Sequence, residues 1–531
     1  MQVVAGIVFV LLMSKRPASP TSDPPPPTPG EIWRNLLESY LQLWRSTPLA
    51  RLWQRVADRW GLPRILLGLA MLAWFLFFAI YAYRQHDRFA SFAFDTGIFD
   101  QSIWLLSEGE GFNTVRGLET FGHHGNVGFF LLVPFYWLGA GIHFLNFLQI
   151  AAIVLGAIPV FILVRDAVES EWMALVPALA FMTHFAFQHM VHEEFHPEIL
   201  AVTPFLAAYL YARRKRWVVY GLWMALAVSW KEDIALAAAV FGLILVARGE
   251  RRAGLWTMGA AIGWFVVVTQ VMIPAFNDQG TFYAQFFGDL GNTPREVVWT
   301  GITHPTEVIV RLDRADALGY VRDLSLPYGF VSYLSPTALL IGLPQAIVNL
   351  LNIFGTSWDP RLHYAAMPLV GLTIAMTEAF GRFRRPGSRR FFTGLVAAFS
   401  LATVIGFGIT PFSNHFRDGG YWQLALTENH RQDLLEQAVS LPDDDAVITA
   451  TYGIVPRLTH RREIYMWPNP WEASFWAVAG ENMRDPDHIE WLVLDRTVVG
   501  DPDLLDRILA EDEWRIHIDQ DALLVAERIR G

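Results

Sequence analysis

The chain has 531 residues, 53% of them apolar and 14% aromatic, with only 17% charged, against about 25% charged in an ordinary soluble domain. Its net charge of −10 is concentrated in residues 411–531, where 23 acids meet 11 arginines, and there is no cysteine. These figures exclude a soluble enzyme, a basic nucleic-acid binder and a disulfide-stapled secreted domain, and with them any Cys-based metal site or nucleophile.

The apolar residues fall in runs separated by short charged knots, the pattern of a polytopic membrane protein. Residues 1–13 are apolar, but Lys15 and Arg16 follow the run and no small-residue cleavage site appears, so it does not read as a cleaved signal peptide. Seven prolines between Pro17 and Pro29 make residues 1–30 a disordered N-terminus by expectation. Residues 31–64 interleave Trp33, Leu37, Tyr40, Trp44 and Trp53 with six arginines, an amphipathic stretch suited to the cytoplasmic membrane surface. Residues 65–411 then hold the membrane domain. Apolar segments are expected at 65–83, 127–140, 143–164, 172–190, 198–212, 217–230, 234–247, 254–274, 326–342, 343–356, 363–380 and 391–410. The basic loops 213–216, 248–252 and 382–390 should be cytoplasmic. Parity then requires that 127–140 and 143–164 cross only once between them, one being re-entrant or interfacial. The expected fold is mainly α, a helical bundle of about 11 spans, followed by a small extracytoplasmic α/β domain at 412–531. That domain has helical patterns near 428–440 and 502–510, and strands near 446–451, 491–495, 514–518 and 522–526. It carries no nucleotide loop, nucleophile elbow or metal-ligand spacing.

Ionisable residues at the edge of a hydrocarbon slab are expensive and are functional candidates for that reason. Five polar clusters fall at span ends opposite the basic loops, where one extracytoplasmic site could gather them. Asp95 is the candidate base; burial would raise its pKa toward working pH, although Asp-Thr-Gly also reads as a helix cap. Asp100 and Gln101 follow but need not share its face. His123, His124 and Asn126 suit a diphosphate or a helix cap. His192-Glu193-Glu194-Phe195-His196 satisfies H-E-x-x-H, which admits a zinc protease using His192 and His196 as ligands and Glu193 to activate water. Pro197 argues against that reading, because it pushes His196 out of helical geometry. A polar span end with Glu194, His196 and Glu198 binding phosphate or sugar is the preferred alternative. Lys231, with Glu232 and Asp233, offers an ammonium for a phosphate oxygen or a self-satisfied turn. Arg361, His363 and Tyr364 form the last cluster, and Arg361 is suited to bidentate phosphate binding.

At these residues the sequence resembles a family of prokaryotic polytopic membrane proteins of uncharacterised function. FDTGIFDQSIW, HHGNVGFFLLVPFYWL, EEFHPEILAVTPFLAAYLYA, WKEDIAL, LPQAIVNLLN and HYAAMPL carry the likeness over residues 94–370, and ATYGIVPRLTHRREIYMWP continues it in the tail. That family in turn looks like the GT-C superfamily of membrane glycosyltransferases, which use polyprenyl-phosphate-linked sugars at the outer face. The resemblance implies an acid in the first outer loop serving as base or metal ligand, the place taken here by Asp95. Phe-Asp-Thr stands where those enzymes have paired acids, so a divalent metal is left open, while no nucleotide cofactor is expected. Glycosyl transfer from a polyprenyl-phosphate donor is thus the leading expectation, in a multi-pass protein of the bacterial cell membrane with no nucleic-acid partner. A lipid-linked-substrate transporter or flippase, and a non-catalytic membrane scaffold, are the alternatives.

Overall fold

A computed structural model describes residues 28–46, 61–277, 283–414, 427, 429–474, 484–511 and 514–529. The expectations for residues 1–27 and for Trp53 lie outside the described residues. The chain forms two compact units, Met1–Ile65 and Leu66–Gly531. In the first, the helix Pro29–Ser46 starts with a capping box: the Thr28 amide donates to Glu31 Oε2 at 2.7 Å, and the Glu31 amide donates to Thr28 Oγ1 at 3.4 Å. Trp33 and Leu37 stand exposed on it.

Five helical segments among the described residues have the length and composition of a membrane span: Leu62–Asp87, Ile142–Val168, Glu171–His192, Arg251–Phe276 and Pro386–Phe407. Their burial separates the centre of the bundle from its rim. Glu171–His192 is 83% buried in its most apolar window, whereas Arg251–Phe276 and Pro386–Phe407 are 22% and 17% buried. Leu66, Leu69, Leu72, Leu76 and Ile80 on the first segment are exposed apolar side chains, the surface a hydrocarbon solvent accepts at no cost. Trp217–Val228 and Ile234–Ala247 are shorter apolar helices, and Ala366–Arg382 is buried along most of its length.

Two of the expected spans are absent. Residues 326–356 form only short pieces, the longest being the nine-residue helix Leu343–Leu351. Pro327 and Pro336 remove helix donors, and Gly329 and Phe330 adopt φ of 56° and 59°, which stops a continuous helix. Residues 127–136 likewise form a 3₁₀ turn and a single helical turn, so Ile142–Val168 is the only candidate crossing in that pair. The stretch expected as a loop at 275–325 contains the helices Pro294–Thr303 and Pro305–Arg314, with Val298, Trp299, Ile302, Ile309 and Val310 exposed.

Toward the C-terminus a five-stranded sheet has the order Ile464–Met466, Ile448–Ala450, Trp491–Asp495, Leu523–Arg528, Trp514–Gln520. Its first three strands are parallel and the last two form an antiparallel hairpin. The hairpin turns at Asp521-Ala522, both with positive φ, two residues beyond the start of the expected turn. The helices Gln432–Ser440 and Pro502–Glu511 match the expected patterns, while Ile464–Met466 went unpredicted, its three residues being too few to show alternation.

Candidate functional site

Four helices that contribute to the site carry a polar segment at one end and a basic knot at the other. Val202–Arg213 starts just after Glu198 and ends at the 213–216 knot; Trp217–Val228 returns from that knot to Lys231. Ile234–Ala247 leaves Asp233 for the 248–252 knot, and Ala366–Arg382 leaves Tyr364 for the 382–390 knot. Antiparallel packing of these helices therefore brings three polar segments together at one end of the bundle.

Asp95 lies at the edge of this cluster, its side chain 39% exposed. Its backbone is at φ 76°, ψ −86°, a strained conformation that an L-residue keeps only where its surroundings enforce it. Glu194 helps to enforce it. Buried and itself at φ 80°, Glu194 accepts hydrogen bonds from the Phe92 amide at 3.3 Å and Gln85 Nε2 at 3.2 Å, tying down the strand that leads into Asp95. The helix Ile98–Ser107 begins without a side-chain cap. The Asp95 carboxylate turns instead to His196, with Oδ2 3.3 Å from Nε2.

His196 is the hub. Its Nδ1 faces the Glu194 carbonyl at 3.2 Å, so its Nε2 points toward Asp95 and, at 3.9 Å, toward Glu193 Oε1. The His196 and His363 rings stack at 3.7 Å between centroids. Glu193 grips His363 twice, accepting from its backbone amide at 2.7 Å and meeting Nδ1 at 2.7 Å. Glu198 lies 3.6 Å from His363 Nε2 and receives Lys231 Nζ at 2.5 Å. Lys231, buried, also lies over the Tyr364 ring at 5.9 Å and 3.9 Å from Asp233. Beyond it Glu232 meets His124 Nδ1 at 2.9 Å and accepts the Gly125 amide at 3.0 Å, while Asn126 donates to the Trp230 carbonyl at 2.5 Å. The ring of His123 packs on His124 at 4.2 Å.

The electrostatics run opposite to the sequence expectation for Asp95. Burial disfavours its charge, but the attraction of His196 outweighs burial and holds the carboxyl below its ordinary range. His196 is lifted to about 10: burial opposes its charge, and Glu193 and Asp95 overcome that opposition. Glu194 is pushed up to about 8 by burial, which outweighs the hydrogen bonds it accepts and the attraction of His196.

Glu193, His196 and His363 each offer a ligand atom, all within 4.8 Å of one another. The Nε2 of His196 is buried and makes no hydrogen bond of good geometry, and its other nitrogen is oriented by a backbone carbonyl, the support that metal-bound histidines receive. This nitrogen-and-oxygen set fits a divalent ion such as zinc once the Glu193–His363 hydrogen bond yields and His196 gives up its Nε2 proton in exchange for the ion. The H-E-x-x-H pair does not form: Nδ1 of His192 is hydrogen-bonded to the Tyr81 hydroxyl, and the chain after His192 leaves the helix before His196.

Three other candidates face elsewhere. Asp100, almost fully buried, accepts from the Tyr136 hydroxyl at 2.6 Å and the Thr459 hydroxyl at 2.5 Å, and lies 3.1 Å from His460 Nε2. Gln101 donates to Thr114 Oγ1 at 3.0 Å and to the Arg461 carbonyl at 3.2 Å. These two residues fasten the 451–464 segment beside the site, where the Ala93 amide also donates to the Tyr452 carbonyl at 3.1 Å. Arg361 is half exposed and clamps Asp359, with NH2 to Oδ2 at 2.6 Å. Tyr452, Thr459 and His460 were not assigned to the site from sequence. All three lie within the ATYGIVPRLTHRREIYMWP segment, whose family likeness was the available signal.

No curated protein matches the sequence. Among solved structures, ArnT from Cupriavidus metallidurans bound to undecaprenyl phosphate is similar at 14% identity, over 87% of this chain and 97% of that chain, with a TM-score of 0.47. The same protein in the apo state is similar at 14% identity, over 89% of this chain and 98% of that chain, with a TM-score of 0.48. The family model described as "Predicted membrane protein (DUF2079)" matches residues 85–525, a stretch that includes every site residue described above. The chain belongs to that family of multi-pass membrane proteins.

Proposed function

We propose that the protein is an integral-membrane transferase that moves a sugar from a polyprenyl-phosphate donor to a hydroxyl acceptor at the extracytoplasmic face. The single observation that carries this reading is Asp95: a partly exposed carboxylate in a strained backbone, at the mouth of an otherwise buried cluster of acids and bases. Strain of this kind persists where the surrounding structure over-determines it, and it gathers at functional sites. The Asp95 carboxyl is held below its ordinary pKa beside His196. It therefore orients the acceptor hydroxyl through a hydrogen bond and takes the proton late, when the new bond to the sugar carbon has made that proton acidic. As that bond forms, the bond between the sugar carbon and the phosphate oxygen breaks, and the lipid phosphate leaves with the electron pair.

His196 fixes the Asp95 carboxylate, and Lys231 acts as a positioning residue, because its charge is already engaged by Glu198 and Asp233. A divalent cation on Glu193, His196 and His363 would supply positive charge for the phosphate. Asp95→Asn keeps the side-chain volume and removes the base. Purified in mild detergent with an unchanged melting temperature, this variant should lose transfer to the acceptor by about a hundredfold or more. Mass spectrometry of co-purifying lipids should detect a polyprenyl-phosphate sugar retained in it. Normal product levels in Asp95→Asn would overturn the base assignment, and bulk phospholipid alone in both proteins would overturn the transferase reading.

A further inference from the structure

The helix Leu343–Leu351 is built inside out for a protein in water. Its amide side chains, Gln345 and Asn349, are buried at 8% and 1% exposure, whereas Leu343 and Ile347 stand 45% and 46% exposed. Each pair is four residues apart and so shares one face of the helix. The buried face is bonded as well as covered. Gln345 Nε2 donates to Asn349 Oδ1 at 2.9 Å, and Asn349 Nδ2 donates to the Tyr364 carbonyl at 2.9 Å and to the Tyr320 hydroxyl oxygen at 3.0 Å. The helix packs on Ile234–Ala247 and Ala366–Arg382, and its bond to Tyr364 sets it beside His363, at the polar end of the bundle. Nine residues reach about 14 Å, less than half of the roughly 30 Å hydrocarbon core, so it cannot cross a membrane. A face of this kind is free of cost only against hydrocarbon.

A second apolar face is fastened to the same helix. Pro305–Arg314 packs on Leu343–Leu351, and Arg311 NH1 donates to the Leu351 carbonyl at 3.0 Å. Pro294–Thr303 packs in turn on Pro305–Arg314 and leaves Val298, Trp299 and Ile302 at 63%, 66% and 70% exposure. These three side chains fall within about 100° of the helix surface. Between Pro294 and Arg314 three arginines meet three acids, so net charge offers nothing to an acidic or basic partner, and what remains to be covered is apolar. The chain reaches this segment from Arg251–Phe276, a span only 22% buried in its most apolar window, with Val271 and Phe276 exposed toward its end. The exposed faces thus continue a rim that already meets hydrocarbon.

We infer that Leu343–Leu351 and Pro294–Thr303 form a lipid-contact surface. Their exposed sides lie in the acyl layer of the leaflet that borders the polar cluster, and Trp299 sits where that layer meets the headgroups. Neither helix spans the bilayer. The cluster then opens at the level of the membrane surface, with the Tyr364 backbone tied through Asn349 to a helix that lipid covers. The surface is defined by its own residues and stands whether or not the cluster transfers a sugar.

The test uses the full-length protein reconstituted into phosphatidylcholine vesicles. With no native cysteine, Trp299→Cys, Ile302→Cys and Ile347→Cys each carry one nitroxide label. Leu72→Cys on the first span is the reference for hydrocarbon, and Glu307→Cys and Asp487→Cys are the references for water, all at exposed positions. Melting temperatures in detergent show that each labelled protein is folded. In power-saturation EPR, labels at 299, 302 and 347 should collide with oxygen several-fold more often than with a water-soluble nickel chelate, as at 72, while 307 and 487 should show the reverse order. Nickel-dominated collisions at 299 and 302, or at 347, would put that helix in water and overturn the surface. Labels shielded from both reagents, with dipolar broadening that disappears on dilution with unlabelled protein, would show a second copy of the chain on these faces and overturn lipid as their occupant.

Discussion

At the scale of single residues, side chains that hold the site together are drawn from far apart in the chain. Asp100 and His460 are 360 positions apart, yet Asp100, Thr459, Tyr136 and His460 form one knot around the buried Asp100, with the rings of Trp104 and Tyr136 flanking the exposed imidazole. His460 is raised above its ordinary pKa because the Asp100 charge and hydrogen bond overcome burial. Asp100 is lowered because His460, Thr459 and Tyr136 overcome burial. The His460 contribution is complete below the ordinary imidazole value and is lost as pH rises through its raised pKa; the Asp100 contribution is complete above the ordinary carboxyl value and is lost as pH falls through its lowered one. His86 and His143, the other imidazoles within reach of the Asp100 charge, do not contact His460 among the described interactions. Amide hydrogen exchange over 451–464 should therefore show greatest protection between about pH 4 and pH 7. His460→Gln should flatten the alkaline limb, and a flat wild-type profile from about pH 4 to pH 9 would remove the knot from the account. Asp95 was legible in the sequence because an acid just beyond a span is conspicuous. Its partner His196 was legible as a candidate, but the Glu193–His363 grip was not, because nothing local couples residues 170 apart.

At the scale of elements, helix existence was readable where apolar runs were long and free of proline, and failed at 326–356, where prolines and left-handed residues divide an apolar stretch that composition alone joins. Which helices touch is decided by surface detail that hydropathy does not encode. The helices Ile234–Ala247 and Arg251–Val267 approach closely enough that a Cβ on Gly254 would lie 2.5 Å from the Gly242 carbonyl oxygen, and a Cβ on Gly242 would lie 2.7 Å from the Met258 amide. Backbone is what would be struck, and backbone gives little. On the same helix a Cβ on Gly259 meets nothing within 4 Å. Gly254→Ala should thus destabilise the protein by about 1–3 kcal/mol through overpacking. Gly259→Ala should be neutral or stabilise by up to about 1 kcal/mol through helix propensity. Thermal unfolding of the two variants in one detergent decides the matter, and equal melting temperatures would show that the helices can part without cost.

At the scale of the whole molecule, the segregation of polar and basic helix ends makes a topology prediction that the bundle's architecture sharpens. Arg213, Arg248 and Arg382 lie at one end of their helices, and Glu198, Lys231, Asp233 and His363 lie at the other. Basic ends favour the cytoplasmic side, so the prediction puts the Asp95 cluster and the five-stranded sheet on the opposite face. The shorter 326–356 pieces leave this parity unchanged, because the two expected spans they replace would have crossed in opposite directions. The absence of native cysteine makes each introduced thiol the sole label site. Structure also chooses the positions: Arg116 and Leu290 are buried and would report packing rather than sidedness, whereas Glu110, Glu307 and Asp487 are exposed, as are Lys215, Arg251 and Arg385. In intact cells an impermeant maleimide should label cysteines at positions 110, 307 and 487, and should label those at 215, 251 and 385 only after the membrane is opened. Labelling of position 215 from outside would put the basic knots and the polar cluster on the wrong sides. The Asp95 site would then face the cytoplasm, where a donor presented at the outer surface does not reach it.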